Sequence, residues 1–139
     1  MFSKLLPELI SLTSMVGETI VSLHKEKMDF IVKSDSTPLT QADKISHSLI
    51  TEALKKMTPN VPILSEESKK IPFSIRKNWD TYWLIDPLDG TRDFLNGTQE
   101  FCISIACIVN NYPIFGLIYA PFNKIHVFNI TSKAYITDF

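Results

Sequence analysis

The sequence predicts an α+β fold, in which two helices pack on a largely antiparallel sheet to form a layered sandwich. Two helical patterns of apolar residues come first along the chain, and a series of short apolar runs separated by turn residues follows them. Helices that precede a run of hairpin-connected strands favour this class over an alternating, parallel α/β fold. The 139 residues have the length of one ordinary domain.

Both helices are predicted from apolar residues that recur at spacings of three and four. The first runs over about residues 7–24, and Pro7 suits its first turn. Thr40 is a candidate N-cap of the second helix, whose apolar spacing continues to about Met57. The apolar face of the first helix consists of Leu5, Leu9, Leu12, Val16, Ile20 and Leu23.

Strands are predicted where short apolar runs are bounded by turn residues. Asn110-Asn111-Tyr112-Pro113 marks a hairpin, and the charged stretch 66–78, which contains Pro72, is predicted to be a surface loop. The predicted strands cover residues 29–33, 61–64, 82–85, 101–109, 114–119, 125–129 and 134–136.

Charge and cysteine content exclude several classes of protein. A formal net charge of −1 gives no electrostatic attraction to nucleic acid or to an anionic membrane. Cys102 and Cys107 are an odd number of residues apart in one predicted strand, so they point to opposite faces and cannot pair. Reduced thiols favour a cytoplasmic location. Pro7 and Glu8 interrupt any signal peptide, and no stretch approaches the about 20 apolar residues of a membrane span.

The segment Asp86-Pro87-Leu88-Asp89-Gly90-Thr91-Arg92 is the most informative feature of the sequence. It follows an apolar run, 82–85, so two carboxylates lie three residues apart where a strand is predicted to end. Mg²⁺ prefers oxygen ligands, and Asp86, Asp89 and the carbonyl of Leu88 can supply three of them. An ordinary Asp-Pro turn followed by an Asp-Gly corner has the same pattern. The segment alone therefore leaves both interpretations open.

Two further segments favour the metal site. They are KSDSTPLTQAD at 33–43 and PILSEES at 62–68. With residues 82–121, and in this order, they resemble the lithium-sensitive, magnesium-dependent superfamily of inositol monophosphatases and fructose-1,6-bisphosphatases. The sequences of these segments are similar to those of its 3'(2'),5'-bisphosphate nucleotidase branch, although this chain has Arg92-Asp93 where that branch usually has Lys-Glu. The resemblance implies the layered α+β sandwich of this superfamily.

The resemblance also implies a reaction: hydrolysis of 3'-phosphoadenosine 5'-phosphate, a small phosphomonoester, to AMP and phosphate. Two Mg²⁺ ions activate the attacking water in such a mechanism. Carried onto this sequence, Glu66, Asp86 and the Leu88 carbonyl hold the first ion. Asp86 bridges to the second ion, which Asp89 also binds.

The remaining site residues are expected to act on water and phosphate. Thr91 hydrogen-bonds the attacking water, and Asp43 accepts from Thr91, because a hydroxyl alone is a poor base. The amides of Gly90 and Thr91 face phosphate. Asp43 also suits a solvated charge in a first helical turn. Lys33 is either a phosphate-binding cation or a solvated lysine, and Glu67 is predicted to be a surface or outer acid rather than a ligand.

The three histidines fall in no metal-ligand spacing and are expected to be surface or internally satisfied residues. The resemblance further implies that residues 1–139 are the N-terminal, metal-binding half of a fold about twice as long. In that family the second half carries a Trp-Asp motif that completes the second metal site, and the sequence reaches Phe139 before any such motif.

Three functions are therefore open: the nucleotidase, an inositol monophosphatase, and a non-catalytic remnant that binds metal or a partner chain. A sheet without its second half is also expected to self-associate, because uncovered apolar surface and free strand edges promote aggregation.

Overall fold

The structure is a computed structural model that describes residues 2–24, 30–36, 38–130 and 132–138. It contains two long helices, two short ones and two sheets. The helices are α1 (Phe2–His24), α2 (Gln41–Met57), α3 (Phe73–Arg76) and α4 (Thr91–Leu95). Strands β1 (Phe30–Val32) and β2 (Pro38–Thr40) form a small antiparallel sheet.

The main sheet has six strands whose spatial order follows the sequence. The first two pair in parallel, and every later pair is antiparallel. This arrangement confirms the predicted α+β class with a largely antiparallel sheet. The strands are β3 (Ile63–Ser65), β4 (Thr81–Asp89), β5 (Cys102–Val109), β6 (Tyr112–Ala120), β7 (Ile125–Ile130) and β8 (Lys133–Asp138).

Helix α1 differs from its prediction in two respects. It begins at Phe2, so Pro7 lies inside the helix and not in its first turn. Its residues 3–24 are also long and apolar enough to cross a membrane by length and composition, although no such stretch was predicted. The apolar face nevertheless packs in the protein core, where Leu9, Val16 and Ile20 are fully buried. An amphipathic core helix satisfies the same length criterion.

Helix α2 begins as predicted. The Thr40 hydroxyl accepts from the Asp43 amide at 3.2 Å, and the Asp43 carboxylate accepts from the Thr40 amide at 2.7 Å. This reciprocal capping box satisfies two of the free donors at the helix start. The helix ends at Met57, also as predicted. The cap therefore fixes the position of Asp43 as well as the start of the helix.

Strand β4 is longer than predicted and carries the acidic segment within it. It continues to Asp89 instead of ending at Ile85, and its register with β5 shifts between Asp86 and Asp89. Pro87 lies in the shifted stretch, because a proline cannot donate to the sheet's hydrogen bonds. Such irregularities redirect side chains at strand ends.

Other boundaries differ by a few residues. Strand β2 and helix α3 lie in stretches predicted to be loop, and Asp29 of the first predicted strand lies outside the described residues. The predicted hairpin between β5 and β6 is present. Asn110 and Asn111 have φ values of 49° and 66°, which is the conformation of a tight two-residue hairpin turn.

The main sheet has a covered face and an open face. On the covered face, alternate residues of β4, β5 and β6 are buried in the same core as the apolar residues of α1 and α2: Trp83, Ile85, Ile103, Ile105, Phe115 and Leu117. The open face carries the residues between them, and a groove of about 750 Å³ runs across it. We define the open face by Leu84, Asp86, Ser104, Ala106, Ile118, Val127 and Ile136.

The two cysteines follow this alternation. Cys107 is buried in the core, whereas Cys102 lies on the other side of β5 and is partly exposed. Both are free, as predicted.

Candidate metal and phosphate site

A polar cavity of about 300 Å³ lies where β4 runs into α4. Nearly all the residues predicted for the site line it, and Asp43 reaches it through Thr91. Two of its residues, Glu66 and Asp86, also line the groove of the open face, so the cavity and the groove are continuous. The cavity is lined by Lys33, Pro38, Glu66, Asp86, Leu88, Asp89, Gly90, Thr91, Arg92 and Asp93.

Four carboxylates line this cavity, and two of them, Glu66 and Asp89, act on a third, Asp86. Burial, followed by the charges of Glu66 and Asp89, raises the pKa of Asp86 to about 7. A hydrogen bond to Glu66 also favours protonated Asp86, whereas the Leu88 amide, 3.3 Å from Asp86 Oδ1, favours the charged form. Several carboxylates beside a backbone carbonyl form the environment that a hard cation such as Mg²⁺ stabilises. The donor set therefore fits magnesium.

The carboxylates do not yet enclose an ion. Within the described residues, no three His, Cys, Asp or Glu side chains form a group that could hold a metal as they stand. The Glu66 side chain is 46% exposed, and its Oε1 lies 3.5 Å from Lys33 Nζ. Asp89 is exposed at the end of β4. The predicted metal ligands thus share one cavity without forming a closed coordination group.

Two hydrogen-bond acceptors orient the Thr91 hydroxyl. It donates toward Asp43 Oδ1 at 2.9 Å and toward the Leu88 carbonyl at 3.2 Å. The other oxygen of Asp43 accepts from the Thr40 amide, so one carboxylate serves the helix cap and the hydroxyl together. Asp43 is only 1% exposed, which excludes its interpretation as a merely solvated charge. Because the single Thr91 proton points at these acceptors, its lone pairs can accept from a water.

Gly90 is required where β4 turns into α4. Its φ is +92°, a value that residues with a side chain rarely adopt. A Cβ atom there would lie 2.8 Å from the Glu100 carbonyl oxygen. The Phe94 amide donates to the Gly90 carbonyl and closes the first turn of α4. This turn places Gly90 and Thr91 in the wall of the cavity.

The profile described as "Inositol monophosphatase family" matches residues 3–136. The chain belongs to the inositol monophosphatase family. A 3'(2'),5'-bisphosphate nucleotidase CysQ from Haemophilus influenzae is 40% identical over 117 residues, which are 84% of this chain and 44% of that protein. Similarity to the nucleotidase branch is thereby confirmed. The chain spans about half the length of the curated relatives it matches.

Solved structures of the inositol monophosphatase family confirm the fold. CysQ from Bacteroides thetaiotaomicron is 37% identical and superposes with a TM-score of 0.77, over 92% of this chain and 46% of that one. An IMPase/NADP phosphatase complexed with Mg²⁺ and phosphate superposes with a TM-score of 0.83 at 20% identity, over 97% of this chain and 51% of that one. These relatives are named as members of a phosphatase family.

Two cations line the cavity of this inositol monophosphatase family member, and they differ in their partners. Lys33 Nζ lies 2.5 Å from Glu67 Oε1, and both side chains are largely buried. Burial lowers the pKa of Lys33, but the hydrogen bond and charge of Glu67 outweigh it and hold the lysine protonated. Arg92 is exposed and, in the part of the chain that is described, forms no ion pair.

Sequence reasoning missed two residues near this site. Arg92 was treated only as a departure from the family pattern, although it directly follows Thr91 in the motif. His47 was expected to be a surface or internally satisfied residue, and the structure gives it Ser65 as partner, with Nδ1 and Oγ 2.8 Å apart. Its position one helical turn after Asp43 was the available signal, since residues four apart share a helix face.

Proposed function

We propose that this chain is the metal-binding half of a magnesium-dependent phosphomonoesterase that hydrolyses 3'-phosphoadenosine 5'-phosphate to AMP and phosphate. The observation that carries this proposal is the polar cavity, in which four carboxylates lie beside a hydroxyl held by a buried aspartate. The CysQ relatives, which are named as 3'(2'),5'-bisphosphate nucleotidases, support this choice of substrate.

Glu66, Asp86, Asp89 and the Leu88 carbonyl would hold Mg²⁺ in this proposal, with Asp86 shared between two ions. Bound Mg²⁺ supplies charge stabilisation for the phosphoryl group and a more acidic water. The all-oxygen donor set supports this assignment. Further support comes from the family structure that contains Mg²⁺ and phosphate.

Thr91 and Asp43 would orient the attacking water. The Thr91 hydroxyl accepts a hydrogen bond from the water, because its own proton is directed toward Asp43 and the Leu88 carbonyl. Asp43 keeps the hydroxyl in this orientation and can receive the proton that the water releases through it. The amides of Gly90 and Thr91 would bind the phosphate from the wall of the cavity.

The first prediction concerns this hydroxyl. Thr91→Ala is expected to slow magnesium-dependent phosphate release from 3'-phosphoadenosine 5'-phosphate by about 10²–10⁴-fold, the usual contribution of a positioned proton acceptor. Thr91→Ser should retain most of the rate, because it keeps the hydroxyl. Thr98→Ala, at an exposed threonine a few residues along, is the control. A Thr91→Ala variant as fast as this control would remove Thr91 from the mechanism.

The second prediction concerns the substrate's other phosphate. We propose that Arg92 binds it, while Lys33 stays paired with Glu67 at the rim of the cavity. Arg92→Ala is expected to raise KM for 3'-phosphoadenosine 5'-phosphate roughly 10–100-fold, the range for a hydrogen bond to a charged group. The KM for inositol 1-phosphate should change little, since it has one phosphate. Lys77→Ala, an exposed cation outside the cavity, is the control. Equal changes for both substrates would contradict this role.

The same substrate comparison separates the open alternatives. A preference of the unmodified chain for inositol 1-phosphate would make it an inositol monophosphatase, and release from neither substrate would leave a chain that binds metal or a partner. The matched relatives are about twice as long, so we propose that a second polypeptide segment completes the site. A cytoplasmic location belongs to this proposal, in keeping with the free cysteines and the core packing of α1.

A further inference from the structure

We propose that His47 is a positioning residue for the metal site: through the Ser65 hydroxyl it holds the turn that presents Glu66 to the cavity. The part of this inference that concerns metal affinity rests on the proposed function. The part that concerns the turn rests on the structure alone.

Two hydrogen bonds meet at the Ser65 hydroxyl. The Ser65 hydroxyl accepts from the Glu67 amide at 3.3 Å and lies 2.8 Å from His47 Nδ1. With one lone pair used for the amide, the hydroxyl can give its proton to His47, provided that Nδ1 is unprotonated. Burial, followed by the charge of Lys55, lowers the pKa of His47 and favours the neutral imidazole, for which we assign the tautomer protonated on Nε2, so that Nδ1 is the acceptor. His47 therefore orients the hydroxyl that holds Glu67.

The turn at 65–68 has two other fixed points. The Glu66 amide donates to the Ile85 carbonyl at 3.2 Å, and the Ser68 amide donates to the Ser65 carbonyl at 3.1 Å. Among the described residues, the Glu67 amide between them has only the Ser65 hydroxyl as acceptor. Loss of that acceptor would free the middle of the turn. Glu66, a proposed metal ligand that lines the cavity, lies directly before this point.

Helix α2 connects this turn to the rest of the site. Asp43 and His47 are one helical turn apart, and they contact Thr91 and Ser65 respectively. A single rigid helix thus sets the spacing between the hydroxyl at the start of α4 and the acidic turn after β3.

The test uses the full chain and Mn²⁺ as the probe ion, with free Mn²⁺ measured by electron paramagnetic resonance. His47→Phe keeps the ring shape and removes the acceptor, so it should weaken Mn²⁺ binding roughly tenfold, the lower end of the effect of losing an outer partner of a metal ligand. His47→Asn places an amide oxygen near the position of Nδ1 and should restore most of the affinity. Ser48→Ala, at the exposed neighbouring position, is the control.

Equal Mn²⁺ affinity in His47→Phe and Ser48→Ala would overturn the metal part of the proposal. An equal loss in His47→Phe and His47→Asn would do so too, because it would show that ring packing matters and the acceptor does not.

A second measurement needs no metal. Hydrogen exchange of the Glu67 amide, followed by NMR, should be roughly three- to tenfold faster in His47→Phe, the factor that corresponds to one net hydrogen bond. Unchanged exchange would overturn the positioning role. If the unmodified chain binds no Mn²⁺, the proposed function fails, and the exchange rate still decides whether His47 holds the turn.

Discussion

Asp86→Asn is expected to abolish magnesium-dependent phosphate release and to raise the melting temperature of the metal-free chain. The proposed shared metal ligand is lost, and metal ions contribute several kcal/mol to phosphoryl transfer, so the rate should fall by at least about 10³-fold. The stability effect has the opposite sign because the variant removes a partly buried charge that lies beside Glu66 and Asp89. Active-site residues are commonly destabilising in this way.

The pH dependence of this stability effect follows from the raised pKa. Burial, then Glu66 and Asp89, raise the pKa of Asp86 from its ordinary value of 3.8 to about 7. The folded chain therefore binds this proton more tightly than the unfolded chain, and the wild type loses stability as the pH rises between these two values. Asparagine does not titrate. The gain in melting temperature should be largest above about pH 7 and should vanish below the unfolded pKa.

Differential scanning calorimetry without metal and a phosphate-release assay with Mg²⁺ test the two halves of this expectation. Asp80→Asn, an exposed aspartate just before β4, is the matched control. Retained turnover in Asp86→Asn would exclude the residue as a metal bridge. If Asp86→Asn melts at a lower temperature than Asp80→Asn at pH 8, the charge of Asp86 does not destabilise the folded chain.

The isolated chain is expected to self-associate through the open face. Ile118, Val127 and Ile136 are direct cross-strand neighbours on β6, β7 and β8, and they are 47%, 38% and 75% exposed. Ile118 and Val127, together with Leu84, line the apolar groove of about 750 Å³. A contiguous row of exposed apolar side chains is typical of a surface that contacts another chain. We therefore expect the apparent mass to increase with concentration in light scattering.

A charge pair should reverse this association. In the double variant Ile118→Lys and Val127→Glu, opposite charges face each other across two paired strands, which is compatible with the sheet. This variant is expected to be monomeric. Met15→Lys, at an exposed apolar position on α1, is the control and should associate like the wild type. A wild type that stays monomeric, or a control that dissociates equally, would show that the open face is not the contact surface.

The open face also connects association to chemistry. Asp86 pairs with Ser104, and Ser104 pairs with Ile118, so the proposed metal bridge belongs to the same cross-strand row as the exposed apolar residues. A segment that covers this cross-strand row would therefore lie next to the carboxylate of Asp86.

Much of the fold could be predicted because its signals are local. The cap at Thr40 and the paired asparagines at 110 and 111 act over a few residues, and both are present. The start of α1 was misplaced because Pro7 was given its commonest position, whereas the apolar pattern already begins before it. The end of β4 was predicted too early, at Ile85 instead of Asp89. The strand accommodates Pro87 by a shift of register, which depends on its partner β5 and not on its own sequence.

The site was predictable in its components and not in its contacts. The acidic segments identified Glu66, Asp86 and Asp89, but their mutual distances depend on how β3 and β4 pair in parallel. The hydrogen bond between Asp43 and Thr91 was inferred from the family, and no local pattern specifies it, since the residues are 48 positions apart. His47, on α2, was missed because its partner Ser65 comes from β3.

The alternation along β4 has a consequence for folding fidelity. Trp83 and Ile85 point into the core, whereas Leu84 and Asp86 point to the other side. A slip of one residue in the pairing of β4 would exchange these sets and force the carboxylate beneath the helices. An unpaired buried charge costs several kcal/mol, so the misaligned sheet is strongly disfavoured. Asp86, the proposed metal ligand, thereby also favours the correct alignment of β4 while the chain folds.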